Sequence, residues 1–228
     1  MKKSTIAIAL PLAAMLAVSP LQAGWKGGRP GAGSGQGNSG SQVIATDLSD
    51  AEAATLLFMR EEEKLARDVY ITLFDQWENP VFSNISGSEQ RHVDSMKNMI
   101  DKYGLVDPVV DDSVGVFQNE ELAEVYEQLI QRGSVSLEEA LHVGGFIEEL
   151  DISDLEDAIE ESTHADVTRA YENLERGSRN HLRAFVSQIE NLGIVYEAQL
   201  MPQEEVDEIV DSATERGGKG RDKRRGGR

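Results

Sequence analysis

The stretch Ser88-Glu89-Gln90-Arg91-His92 puts a carboxylate and an imidazole three residues apart on what reads as a helix. Residues i and i+3 lie on one helix face, a turn apart. The rest of that face is apolar, since Ile85, Met96, Met99 and Tyr103 continue the spacing. A carboxylate and an imidazole directed into a core are costly unless they are paired or bound to metal. The feature therefore demands a fold in which other helices bring compensating groups. One alternative concerns the Glu alone. Ser86-x-x-Glu89 also fits a capping box, in which Glu89 reaches back to a backbone amide at a helix start. Nothing about capping accounts for His92.

Helical periodicity dominates from Leu48 to Leu192, and strand signals are scarce. The chain is expected to be all-α. Ser49-x-x-Glu52 caps a first helix that runs to about Trp77, before Asn79-Pro80. Within it Glu62 shares the core stripe with Phe58, Leu65 and Ala66, and Glu61 and Glu63 flank that stripe. A second helix is expected from near Ser86 to Tyr103, closed by Gly104. An accessory helix follows a long connection, from Asn119 to about Gln131. Ser136 caps the third main helix, whose apolar side carries Glu148 with Asp151 a turn further on. Ser153-x-x-Glu156 fits another capping box, so a break near Asp151 is an alternative. The fourth main helix spans about Ala165 to Asn191, with His181 between Leu174 and Phe185 on its apolar stripe. Pro202 opens a short acidic helix to about Ala213.

Each main helix thus offers inward polar groups: Glu62, then Glu89 and His92, then Glu148 and Asp151, then His181. Four carboxylates and two imidazoles give each ion of a two-metal site one His, with carboxylates shared. Oxygen and nitrogen donors suit iron, manganese or zinc. His142 and His164 read as surface residues.

The ends of the chain differ from this middle. Lys2 and Lys3 precede an apolar run from Ile6 to Val18, and Ala23 precedes Gly24, so residues 1–23 read as a signal peptide cleaved after Ala23. A membrane anchor is the alternative, although the run is short for a span and contains Pro11. Residues 24–44 read as a Gly/Ser-rich disordered linker and residues 216–228 as a disordered basic tail. The domain is expected over residues 45–200, with the short acidic helix at 201–215. The whole chain of 228 residues carries a formal charge of −19, and the segment between linker and tail is more acidic still. That argues against nucleic-acid binding by the domain. The acidity serves either solubility or the attraction of cations. The chain has no Cys, so any metal would be held without thiolates.

The segments REEEKLARDVY, SEQRH, GVFQNEELAEVY, ALHVGGFIEELDISDL and RGSRNHLRAF resemble a ferritin-like domain family of bacteria and archaea, related to the rubrerythrin and ferritin group. The resemblance covers about Ala51 to Leu192. It implies a ferritin-like four-helix bundle, with an accessory helix between main helices 2 and 3 and a short C-terminal helix. It also implies a centre of two iron ions, with manganese or zinc as alternatives, on Glu62, Glu89, His92, Glu148 and His181. The superfamily pattern has a Glu where this chain has Ser178, and Asp151 is the candidate replacement. Glu149 and Glu175 are weaker ones. The expected function is an exported, periplasmic or secreted protein that oxidises Fe(II) with dioxygen or peroxide. The alternative is a non-enzymatic metal-binding or envelope interaction protein. No stable membrane span is expected after leader removal, and a homo-oligomer is compatible with the family.

Overall fold

The computed structural model describes residues 48–217. The expected leader, the linker and residues 218–228 of the basic tail lie outside the described residues. Among the described residues there are six α-helices and no strand. None of these helices is long and apolar enough to cross a membrane.

Local capping chemistry explains most helix ends. α1 (Asp50–Trp77) begins at Ser49, which forms both halves of a capping box with Glu52. α2 (Pro80–Tyr103) begins six residues earlier than the expected start at Ser86. Asn79 caps it, accepting from the Val81 N–H at 3.0 Å. Pro80 follows at the first helical position, where its missing N–H costs nothing. The Asn-Pro pair that follows α1 therefore also starts α2. Ser86 lies inside the helix and donates to the Ser83 carbonyl at 3.2 Å. The capping alternative for Glu89 is removed. Gly104 ends α2 at φ 68°, as expected from its sequence position.

α3 (Glu120–Gly133) is capped by Asn119. α4 (Leu137–Glu161) is capped by Ser136, which accepts from the Glu139 N–H at 3.1 Å. The Glu139 side chain turns to Arg132 instead of closing the box. α4 runs without a break through Ser153 and Glu156, so Glu148 and Asp151 stay one turn apart on one helix. α5 spans Ala165–Asn191 and α6 spans Gln203–Asp211.

α1 packs along α2, and α4 along α5; the pairs meet through α1–α4 and α2–α5 contacts. α3 lies against α1 and α4, and α6 against α5. Leu56 and Met59 of α1, Met96 of α2, Leu155 of α4 and Tyr171 and Leu174 of α5 belong to one apolar cluster. Further along the helices, Tyr70, Phe82 and Phe185 pack ring on ring with centroids 5.1 to 6.3 Å apart. The candidate polar residues fall between these two apolar layers in the order of each helix.

The connection between α2 and α3 is pinned across the outer side of α1. Arg60 forks onto Asp107 with both contacts at 3.1 Å. Lys64 donates to the Ser113 carbonyl at 2.9 Å, and Asp68 accepts from the Gly115 N–H at 3.0 Å. Arg67 bonds Asp112, and Glu61 accepts from the Gln118 N–H. Every residue of α1 from 59 to 70 is consequently buried.

Candidate metal centre

Two buried groups of three ligand-type side chains share one residue. Glu63, Glu89 and His92 bring one donor atom each within 4.8 Å of one another, and so do Glu89, Glu148 and His181. Glu89 stands between the two imidazoles. Its Oε2 is 2.8 Å from His92 Nδ1, and its Oε1 is 2.6 Å from His181 Nδ1. Glu63 Oε2 approaches His92 Nδ1 at 3.1 Å, and Glu148 Oε2 approaches His181 Nδ1 at 3.4 Å. The imidazole rings stack with centroids 5.5 Å apart.

The expected α1 residue was Glu62, yet it is Glu63 that reaches His92. Glu62 instead lies within hydrogen-bonding reach of Asp154, a turn beyond Asp151 on α4. Asp151 is buried in the joint field of Glu63, Glu62, Glu148 and Glu89. Ser178 is fully buried and turns its hydroxyl to the Leu174 carbonyl of its own helix at 3.3 Å. Glu149 is committed elsewhere: it accepts from the Gln199, Leu200 and Met201 amides and from the Tyr196 hydroxyl. Glu175 pairs with Arg179. His142 is half-buried against the Tyr196 ring, and His164 is half-buried and 2.9 Å from Glu52. Neither is the surface residue expected, because another segment of the chain packs against each.

Two positioning contacts were not visible in the sequence. The Tyr70 hydroxyl donates to Glu148 Oε1 at 2.6 Å, fixing that carboxylate from the apolar side. Gly177 makes room for His92: a Cβ there would stand 2.5 Å from both Cε1 and Nε2 of the ring.

The electrostatics follow from burying so many acids together. Burial pushes the Glu148 carboxyl up, and Glu89 adds to the effect against the pull of His181. Asp151 is driven well above the carboxylate range by burial and by its acidic neighbours. Burial also raises Glu63, which His92 partly offsets, leaving it at about 7. Glu89 goes the other way. Burial opposes its charge, but the His181 and His92 charges outweigh that and hold it well below the usual range. Burial would likewise lower His181, yet Glu89 and Glu148 lift it to about 10. His92 is raised in the same way, its burial outweighed by Glu63 and Glu89.

These donors suit metal on an independent ground. The Glu89 oxygens, Glu148 Oε2 and His181 Nδ1 are buried and face one another as an ion-pair cluster, while among the described residues neither buried Asp151 oxygen meets a hydrogen-bond partner. Acids buried together without neutral donors are costly. A cation with oxygen and nitrogen ligands would satisfy them together.

The model of a family described as an uncharacterized protein domain, DUF2202, matches residues 52–213. The chain belongs to the DUF2202 family. The match contains every residue of the candidate centre, so that centre lies within the DUF2202 domain itself. The uncharacterized protein MJ0754 of Methanocaldococcus jannaschii is 49% identical over 177 residues, covering 78% of this chain and 96% of the relative. The crystal structure of hypothetical protein MJ0754 from Methanococcus jannaschii DSM 2661 is similar at 48% identity and a TM-score of 0.73. It covers 75% of this chain and 97% of that one.

Proposed function

We propose that this DUF2202 domain is a ferritin-like four-helix bundle that holds a dinuclear metal centre and oxidises Fe(II) with dioxygen or peroxide. The observation that carries the reading is Glu89, with one buried oxygen toward each of two imidazoles. Glu63 and His92 would hold one ion and Glu148 and His181 the other, with Glu89 common to both. Asp151 is the reserve carboxylate beside them. Two iron ions fit this donor set best, with manganese or zinc as alternatives. When bound, a ferrous pair would supply two electrons to one oxidant, one from each iron.

The protein's own part is charge and position. Glu89, Glu148 and Glu63 offset the charge of incoming cations in a site that excludes water. Tyr70 orients Glu148 through a short hydrogen bond. Gly177 lets His92 turn Nδ1 toward Glu63 and Glu89. The apolar layers on either side keep the acids from solvent and so strengthen each interaction. The leader-like residues 1–23 would place this chemistry outside the cytoplasm.

A second reading is metal binding without oxidation. Ser178 favours it, because its hydroxyl bonds its own helix and leaves one carboxylate fewer around the centre. Anaerobic Fe(II) loading followed by oxygen or peroxide separates the two. Two irons per chain with rapid growth of near-ultraviolet ferric absorbance is the expected result. Bound Fe(II) that does not oxidise selects the second reading. No bound iron, manganese or zinc overturns both.

A further inference from the structure

α4 carries acids at every third position from the centre outward: Glu148, Asp151, Asp154 and Asp157. Three residues advance an α-helix by about 4.5 Å and fall roughly 60° short of a full turn. A three-residue repeat therefore winds around the helix, and three steps carry it about half way round. Exposure follows that winding. Glu148 is 0% exposed, Asp151 2% and Asp154 6%, while Asp157 is open to solvent. The row thus leads from the candidate centre to the surface along one helix.

α1 adds one more acid to this row. Glu62 sits beside Asp154 and within the field that acts on Asp151. Asp157 in turn acts on Asp154. Among the described residues no amide, hydroxyl or basic side chain reaches either buried Asp151 oxygen, and Glu62 and Asp154 share a contact with each other. A strut between α1 and α4 accounts for the Glu62–Asp154 pair but not for the two unpartnered oxygens of Asp151 aimed into the same row. At the outer end, the last turn of α4 contains Glu160 and Glu161 and no basic residue. The helix dipole is also negative there. Acids at a helix C-terminus cost stability, but they concentrate cations at that spot.

We propose that Asp157, Asp154, Glu62 and Asp151 form an all-carboxylate transit route that passes divalent cations from the surface to the centre. The proposal rests on the metal-centre reading above. The route offers oxygen donors alone, whereas the centre adds two imidazoles. A divalent ion is therefore held loosely on the way and firmly at the end. Consecutive acids rise about 4.5 Å along α4 and turn roughly 60° about it, so an ion passes from one to the next by movement of the carboxylate side chains.

The test is stopped-flow loading of the metal-free full chain with Co(II), read by its visible absorption. It uses wild type, Asp157→Asn and the Asp154→Asn/Asp157→Asn double variant. The expected result is the same final stoichiometry and spectrum in all three. Loading slows severalfold in the single variant and on the order of tenfold in the double variant, with a weaker dependence on salt. An unchanged rate overturns the route and leaves the centre standing. A reduced final stoichiometry also overturns it, because the acids are then ligands of the centre. A wild-type chain that takes up no Co(II) removes the centre and the route together. Asp157 is exposed, so its single variant keeps the test intact if the double variant fails to fold.

Discussion

The His92 ring rests on the backbone of Gly177, the residue before Ser178 on α5. A Cβ at position 177 would come within 2.5 Å of two ring atoms. Gly inside a helix costs about 1 kcal/mol relative to Ala. Here the close approach of the ring requires it. Gly177→Ala is expected to push His92 away from Glu63 and Glu89, at most slightly altering the melting temperature. Bound metal per chain should fall while the helical circular dichroism stays the same. Metal analysis beside a thermal melt checks this, and full metal content in the variant would contradict it.

Tyr70 offers a complementary test on the other half of the centre. It is fully buried, and its hydroxyl reaches Glu148 at 2.6 Å. Tyr70→Phe keeps the ring packing with Phe82 and Phe185 and removes the hydrogen bond to Glu148 and the longer one to the Gly144 carbonyl. Outer partners of metal ligands typically contribute 10- to 100-fold in affinity, so a loss of about tenfold is expected. Co(II) titration measures it. Equal affinity in the variant would show that Glu148 is positioned without Tyr70.

The helix starts legible in the sequence were those set by local chemistry. Ser49, Asn119 and Ser136 cap helices because their side chains bond amides two or three residues away, and such spacing is visible in one dimension. The start of α2 was missed because Asn79-Pro80 reads as a stop for the preceding helix, yet a Pro is equally suited to a first turn. Of the six expected side chains, Glu89, His92, Glu148 and His181 lie together in the structure, with Asp151 and Glu62 in the same acidic field beside them. Glu63 displaced Glu62 because α1 is buried on both sides from 59 to 70. A helix covered by a distant loop loses the apolar-polar contrast that fixes its phase, and one residue of error rotates a side chain by about 100°. Gly177 and Glu149 were illegible for a related reason. Their partners, His92 and the 196–201 segment, are far away in sequence.

Metal uptake should release protons. In the metal-free state burial and acidic neighbours hold Asp151 and Glu148 above their usual ranges, and Glu63 lies at about 7. Burial opposes a charge on His181, but Glu89 and Glu148 raise it to about 10, so its ring is protonated at neutral pH. Ligand atoms must lose these protons to bind a cation. Affinity is therefore expected to rise with pH across the neutral range, with protons released on loading at pH 7. Calorimetric titration in two buffers of different ionisation enthalpy counts them. An affinity that falls as pH rises would contradict the assignment.

Lys64 and Asp68 form a buried ion pair at 2.5 Å, both 0% exposed. Lys64 also holds the Ser113 carbonyl and lies 4.4 Å from the Phe117 ring centroid. Removing one partner of a buried pair leaves the other uncompensated, which costs about 3–5 kcal/mol. Arg67 and the Gly115 amide still reach Asp68, so Lys64→Met is expected near the lower end. Denaturant unfolding measures it. The loop's anchorage at Ser113 should loosen as well, giving faster proteolysis there than in wild type.

Glu52 joins the start of α1 to the connection between α4 and α5. It accepts from the Thr163 and His164 amides, from the Thr163 hydroxyl and from His164 Nδ1. Burial works to raise its pKa, but these bonds, His164 foremost, bring it from 4.5 to about 2. The folded-state value is depressed, so the group stabilises the fold above about 4.5 and loses that contribution as pH falls toward 2. Glu52→Gln should melt at a lower temperature than wild type at pH 7, with the gap closing across that window. His164 bonds the same carboxylate, so the comparison needs His164→Gln in parallel. In that background the gap at pH 7 should shrink, because the largest of the bonds that lower Glu52 is gone. A gap that stays constant from pH 7 to pH 2 would mean that Glu52→Gln disturbs the fold through shape and not through the lost charge.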